Sequence, residues 1–217
     1  MTGPVPSAWG ERLRSGAWPA LALSLALFAL ALFNQATEAW DWQPALAGTE
    51  PWRAWTAAAV HWTPAHLQMN LAGCAALAWL GWRADLGPRE ALAWALAWPL
   101  TQVGLLLQPA LLHYGGLSGV LHAGVVLVAW GLVSQGGSNR WLGLIMAGGL
   151  LAKLISEQPW RAEVQRVPGY DFQVAPMAHS SGALAGLVCG ALVLGWSRWQ
   201  RGPSTAAPAP PMPAAPE

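Results

Sequence analysis

Six apolar runs, separated by shorter polar stretches, set the pattern of this chain. They lie at about 17–34, 64–82, 90–107, 118–134, 141–156 and 177–197. Each approaches the ~20 residues a helix needs to cross the hydrocarbon core of a bilayer, the shorter ones with help from flanking residues. In lipid only helices and closed barrels satisfy their own backbone. The alternation of barrel strands is missing, so the runs predict six helices and an all-α membrane protein. The first run follows Arg12 and Arg14 and contains small residues, as a signal peptide does. It is long for a signal sequence and five more runs follow, so a retained helix is expected. The domain reading is one six-helix membrane domain over 1–201, with 202–217 a Pro/Ala-rich tail too poor in packing residues to fold.

Composition strengthens the membrane reading. Of 217 residues, 54% are hydrophobic and 10% charged, against roughly 25% charged in soluble domains. The 16 Trp and 18 Pro suit helix ends at a bilayer interface. A net charge of +1 gives no basis for nucleic-acid binding. Cys74 and Cys189 sit inside apolar runs and read as small buried hydrophobes, not as a disulfide or a metal pair. No internal repeat is visible, which leaves an inverted-repeat transporter little support.

Charge also orients the helices. With the N-terminus inside, Arg12, Arg14, Arg83, Arg89, Arg140, Arg198 and Arg201 face the cytoplasm, against Arg53, Lys153, Arg161 and Arg166 outside. The positive-inside rule therefore favours both termini in the cytoplasm. The long loops at about 35–63 and 157–176 then lie outside, as do the starts of the second, fourth and sixth helices.

Those three helix starts hold the candidate chemistry. The second opens at Thr63-Pro64, a good N-cap followed by a good first helical residue. His66 and Asn70 follow at i and i+4 on one face. They are either a hydrogen-bonded pair that steadies packing or two donors aimed at a developing oxyanion. His61 precedes the helix, and a structural loop contact is its expected role; His113 reads as a loop residue.

The fourth helix begins at Ser118, after Gly115-Gly116 and before Gly119. The unpaired N–H groups and positive dipole of a helix start favour negative charge there. Taken alone, such a serine is more commonly a helix cap than a nucleophile. The sixth helix begins near Pro176, with His179 in its first turn. Gly182, Gly186 and Gly190 lie at offsets of 3, 7 and 11, close to the His179 meridian. Small residues at this spacing let membrane helices touch. If the neighbour is the fourth helix, the imidazole reaches Ser118 and can act as its base. Asp171 is the only acid near His179 in sequence, and it lies in the loop, so a dyad is expected rather than a triad. Rival chemistries lack their residues: there is no His-Glu-x-x-His, no Asp deep in an apolar run, and no metal spacing among the five His. No metal or cofactor is expected.

These residues resemble the rhomboid family of intramembrane serine proteases, over about residues 50–195. Trp52-Arg53 stands nine residues before His61, like the Trp-Arg of the first outer loop in bacterial rhomboids. His61-x4-His66-x3-Asn70 resembles their second-helix motif, Gly116-Leu117-Ser118-Gly119 the nucleophile motif, and Ala178-His179-Ser180-Ser181-Gly182-x3-Gly186 the base motif. The resemblance implies a six-helix rhomboid-like bundle, with Ser118 as nucleophile and His179 as general base. It also implies an oxyanion hole of His66, Asn70 and the Ser118 backbone N–H. Many rhomboids carry Tyr four residues after the serine, stacked on the base; here that position is His122. Ser118-Gly119-Val120-Leu121-His122, the short chain and the Lys153-Leu154-x2-Glu157 pattern look like the rhombosortase subfamily. Rhombosortases are thought to process secreted bacterial proteins with a C-terminal tail bearing Gly-Gly, a hydrophobic helix and a basic end. Lys153 and Glu157 are spaced i, i+4 and read either as a snorkelling pair or as substrate-tail recognition or gating.

The implied function is a bacterial inner-membrane endopeptidase that acts on transmembrane or C-terminal-tail substrates. Two other classes are an inactive rhomboid-like protein that binds membrane clients and a small-molecule transporter. The transporter would need a polar pathway at mid-membrane, where this chain has none in sequence.

Overall fold

The computed structural model describes residues 8–33, 35, 37–108 and 110–200, and of residues 8–15 and 197–200 the backbone only. The expected tail at 202–217 and the side chains of Arg12, Arg14, Arg198 and Arg201 lie outside the described residues. The chain is mostly helical. Its helices are α1 (Ala8–Leu32), the short α2 (Arg53–Thr56), α3 (Pro64–Arg83), α4 (Pro88–Val103), α5 (Ser118–Gln135), α6 (Gly137–Glu157) and α7 (Pro176–Gln200). A 3-10 turn, Gly104–Leu107, prolongs α4. The loop before α7 carries a small antiparallel hairpin, β1 (Gln165–Arg166) and β2 (Gln173–Val174).

Local capping contacts mark where several helices begin. Thr63 has extended backbone and its hydroxyl accepts the His66 N–H, so α3 starts at Pro64. The Gly87 N–H is taken up by the Glu90 carboxylate at 2.9 Å as α4 begins. The first turn of α6, Gly137-Ser138-Asn139-Arg140, is polar yet helical, because Gly136 at φ +74° reverses the chain just before it.

Among the described residues, three helices are long and apolar enough to cross a membrane, at Pro88–Leu107, Ser118–Gln135 and Pro176–Trp196, and α1 contains a shorter apolar stretch, Gly16–Leu32. The start of α3 is diluted by His66, Gln68 and Asn70, and α6 by its polar first turn and by Lys153 and Glu157. Large apolar side chains face outward, including Leu27, Trp79, Leu96, Ile145 and Leu192. On α6 the described buried residue is Gly143.

Close helix packing fixes the interior. Trp18 of α1 stacks on Trp94 of α4, with centroids 4.5 Å apart, and donates to the Leu77 carbonyl of α3 at 2.7 Å. A Cβ on Gly81 would lie 1.9 Å from the Trp18 indole, so α1 and α3 meet through that glycine. Trp94 donates to the Val120 carbonyl of α5 at 2.8 Å. Both buried indoles thus find acceptors on neighbouring helices. Helix α7 packs against α4 and α5, and α6 packs chiefly against α5.

Candidate active site

The loop before α5 is clamped by the long loop that precedes α3. Trp42 and Tyr114 exchange backbone hydrogen bonds at 2.8 and 2.9 Å, and the Gly116 N–H donates to the Ala57 carbonyl at 2.9 Å. The Tyr114 hydroxyl donates to the Gly116 carbonyl at 3.2 Å, and burial pushes its phenol up to about 12, so it stays a neutral donor. Gly116 has φ +129°, and a Cβ there would lie 2.7 Å from the His66 ring. Both backbone and space therefore require glycine.

This loop delivers Ser118 as the first residue of α5, after Leu117 as the capping residue. The Ser118 hydroxyl makes no cap bond. Its Oγ is instead 2.9 Å from His179 Nε2. The commoner reading of such a serine, a helix cap, therefore does not describe Ser118.

His179 is brought there by the glycine seam, and the neighbour is α5. A Cβ on Gly182 would lie 1.9 Å from the Gly119 carbonyl oxygen, and one on Gly186 would lie 2.7 Å from that of Ala123. From the other side, a Cβ on Gly119 would meet Thr101 at 2.5 Å and the Ala178 carbonyl at 2.7 Å. The Ser181 hydroxyl ties α7 to α4 through the Thr101 carbonyl at 2.8 Å.

Around His179, only 5% exposed, the neighbours differ from expectation in one respect. The Glu157 carboxylate at the end of α6 lies 2.7 Å from Nδ1. In sequence the acid near His179 is Asp171; in the structure the carboxylate beside Nδ1 belongs to Glu157, 22 residues upstream and carried in by α6. Lys153, one turn earlier, forms an ion pair with Glu157. Its Nζ is also 3.3 Å from Nδ1. That nitrogen directs its proton to Glu157, so the lysine approach is a close contact rather than a hydrogen bond. Lys153 and Glu157 thus form the expected i, i+4 pair at the helix end, and both lie beside His179. On the imidazole face, His122 stacks at 4.2 Å with an interplanar angle of 12°, and its Nδ1–H donates to the Ser118 carbonyl at 2.6 Å.

From α3 come Asn70 and His66, which do not bond to each other as a packing pair would. The Asn70 amide donates to His61 Nε2 at 2.9 Å, and His61 Nδ1–H donates to the Ala59 carbonyl at 3.1 Å. These two bonds fix one tautomer and hold the Asn70 amide. Burial lowers the His61 pKa to about 4, partly opposed by the Ala59 hydrogen bond, so His61 is neutral at pH 7. His61 thus makes the expected loop contact, with Ala59, and also holds Asn70. His66 Nδ1 is buried without a partner. Its ring stacks on Phe172, which stacks on Tyr170, at centroid distances of 4.4 and 4.9 Å. The Thr63 hydroxyl donates to Asp171 at 2.9 Å. The hairpin loop is thus pinned to the start of α3.

One cavity of 610 Å³ is lined by His66, Asn70, Ser118, His122, Lys153, Glu157 and His179 together with Tyr170 and Phe172, and His61 lies behind Asn70. Trp52 and Arg53 are not among the residues that line it. Arg53 is buried and binds Glu50 at 2.5 Å, the Glu38 and Asp41 carbonyls at 2.9 Å each, and the Asp41 carboxylate at 3.2 Å, while Trp52 is exposed. Asp41 also accepts from His113 at 2.7 Å. Arg53 therefore braces the loop that clamps Tyr114, and His113 joins that brace through Asp41. Nothing in the local sequence around Asp41 marks this role.

No family model, no curated protein and no solved structure matches the chain. Chemically, a buried imidazole that accepts from a serine hydroxyl at the edge of a cavity can raise the nucleophilicity of that serine.

Proposed function

We propose that this chain is an intramembrane serine endopeptidase of the rhomboid type, in the rhombosortase branch, that cuts a transmembrane or C-terminal protein tail near its outer end. The observation that carries the reading is the 2.9 Å contact between Ser118 Oγ and His179 Nε2 at the edge of a 610 Å³ cavity bordered by His66 and Asn70. The six long helices, with outward-facing Leu, Ile and Trp, serve as a six-span rhomboid-like bundle in a bacterial inner membrane. Both termini are cytoplasmic, and the site opens to the periplasm.

In the reaction, His179 Nε2 takes the Ser118 proton as Oγ bonds to the scissile carbonyl carbon. The oxyanion is met by the Ser118 backbone N–H, the free amide hydrogen of Asn70 and the His66 ring, whose orphaned nitrogen supports a role toward a ligand. Collapse breaks the C–N bond, and the leaving amine takes the proton from Nε2. Water then repeats the sequence on the acyl-enzyme. The mechanism calls for no metal or cofactor. A helix hides its own carbonyls, so the substrate unwinds locally, which Gly-Gly eases.

The test is co-expression with a tail that carries Gly-Gly, a hydrophobic helix and a basic end. The intact chain releases a shortened product, and Ser118→Ala and His179→Ala release none although both variants insert. Full processing by Ser118→Ala overturns the proposal.

A further inference from the structure

Four groups face the His179 imidazole: Ser118 and His122 from α5, and Lys153 and Glu157 from α6. His66 of α3 borders the same cavity. With Glu157 ionised in its pair with Lys153, a neutral ring makes both in-plane bonds when Nδ1 carries the proton. Nδ1–H then donates to Glu157 Oε2 at 2.7 Å, and the Nε2 lone pair accepts from Ser118 at 2.9 Å. This is the tautomer a base needs if it is to take the serine proton. The neutral ring has no other acceptor for its Nδ1 proton among the bonds it makes.

The placing of Glu157 is hard to explain by helix stability. It is the last residue of α6, and Gln158 leaves the helix with left-handed backbone at φ +48°. A carboxylate at a helix C-terminus sits against the negative end of the dipole. Lys153 precedes it by four residues, the less favourable order for a helical ion pair. The Glu157 side chain is 20% exposed, and its two oxygens are divided between Lys153 and His179. The backbone carbonyl of the same residue accepts from Gln165 of β1 at 2.8 Å, which fixes the end of the helix.

We propose that Glu157 is a positioning residue for His179, braced by Lys153, so that the site works as a Ser118–His179–Glu157 triad rather than a dyad. This deepens the proposed protease function and rests on that reading. Glu157 holds the imidazole with Nε2 toward the serine and balances the positive charge that develops on the ring when it takes the serine proton. It accepts no proton itself. The third member arrives on α6, whereas Ser118 and His179 meet across the α5–α7 seam. The triad is therefore complete only while the end of α6 lies against the start of α7.

The experiment uses the purified full chain in detergent with Glu157→Gln and Glu157→Asp variants. Three quantities are read: the rate of Ser118 labelling by a fluorophosphonate, kcat and KM for a single-span peptide containing Gly-Gly, and Tm. The expected loss for Glu157→Gln is about 100-fold in kcat and in labelling rate, less than the ~10⁴-fold seen when a buried triad acid is replaced by its amide, because Glu157 is partly exposed. KM stays within about 3-fold and Tm is unchanged. Glu157→Asp recovers part of the lost rate, since it restores the charge with a shorter reach. Equal labelling rates for the intact chain and Glu157→Gln overturn the triad while leaving the nucleophile in place. Losses in both variants that track a lower Tm also overturn it, because they mark a purely structural role. Absence of labelling in the intact chain overturns the protease reading, and the triad with it.

Discussion

The His122 ring lies parallel to that of His179, with centroids 4.2 Å apart and an interplanar angle of 12°. One helical turn separates His122 from Ser118, so a single helix start supplies both the hydroxyl and the surface against which the His179 ring rests. The His122 bond to the Ser118 carbonyl fixes that surface. An aromatic contact of this kind is worth about 1 kcal/mol beyond its buried area. His122→Ala should lower kcat about 5- to 10-fold with little change in Tm. His122→Tyr, which keeps a ring there, should stay within about 3-fold of the intact chain. Measured kcat for both variants on one peptide substrate checks this.

The seam between α5 and α7 sets the distance from His179 to Ser118. Gly182→Ala drives a methyl into the Gly119 backbone, whereas Gly190→Ala meets a Leu127 methyl at 2.9 Å, which can rotate away. Overpacking a tight contact costs roughly 1–3 kcal/mol. Gly182→Ala should lower Tm and reduce serine labelling by 10-fold or more, and Gly190→Ala should do neither to the same degree. Thermal unfolding in detergent together with labelling rates separates the two.

Arg53 offers a test away from the cavity. Its guanidinium reaches two carbonyls and two carboxylates, and its partner Asp41 is 1% exposed. Removing one member of a buried pair costs about 3–5 kcal/mol. Arg53→Ala should therefore lower Tm sharply and loosen the Trp42–Tyr114 clamp. Arg53→Lys should recover little, since one ammonium cannot span the same acceptors. Faster hydrogen exchange at the Tyr114 and Gly116 amides would report the loosened clamp.

His61 predicts a dependence of stability on pH. Its folded pKa, about 4, lies below the ordinary 6.5 because burial disfavours the charged ring. Between those values the unfolded chain binds more protons, so His61 costs nothing above pH 6.5, and stability falls as pH drops from 6.5 toward 4. The full contribution is on the order of 3 kcal/mol. In His61→Gln, whose amide oxygen can still accept from Asn70, Tm should fall less steeply across this window. Unfolding curves at pH 7, 5.5 and 4.5 give the comparison.

Several of these relationships were legible in the sequence, and others were not. The spacing of Gly182, Gly186 and Gly190 below His179 foretold a close helix contact, and the structure supplies α5 as the partner. The capping role of Thr63 was equally readable, because a cap acts within one turn. The pairing of Glu157 with His179 was hidden, because α6 and α7 are joined by a loop whose path depends on a hairpin of two-residue strands with no periodicity to read. The Thr63–Asp171 bond spans 108 residues and was hidden for the same reason. His61 looked peripheral because it lies outside the helix. Only the turn of the backbone at Ala59 aims its ring at Asn70. Apolarity also marked the α6 start late, at 141 rather than Gly137, because it reports depth in a bilayer whereas backbone hydrogen bonds define the helix. For the same reason the six apolar runs correspond to six long helices, of which three, among the described residues, are long and apolar enough to cross a membrane.

The central claim is that Ser118 is a nucleophile activated by His179. The most direct measurement is peptide mapping by mass spectrometry of the purified chain after treatment with a fluorophosphonate. A single adduct on Ser118, absent from Ser118→Ala and strongly reduced in His179→Ala, is the predicted result. No adduct on the intact chain, or an equal adduct in Ser118→Ala, would contradict the account.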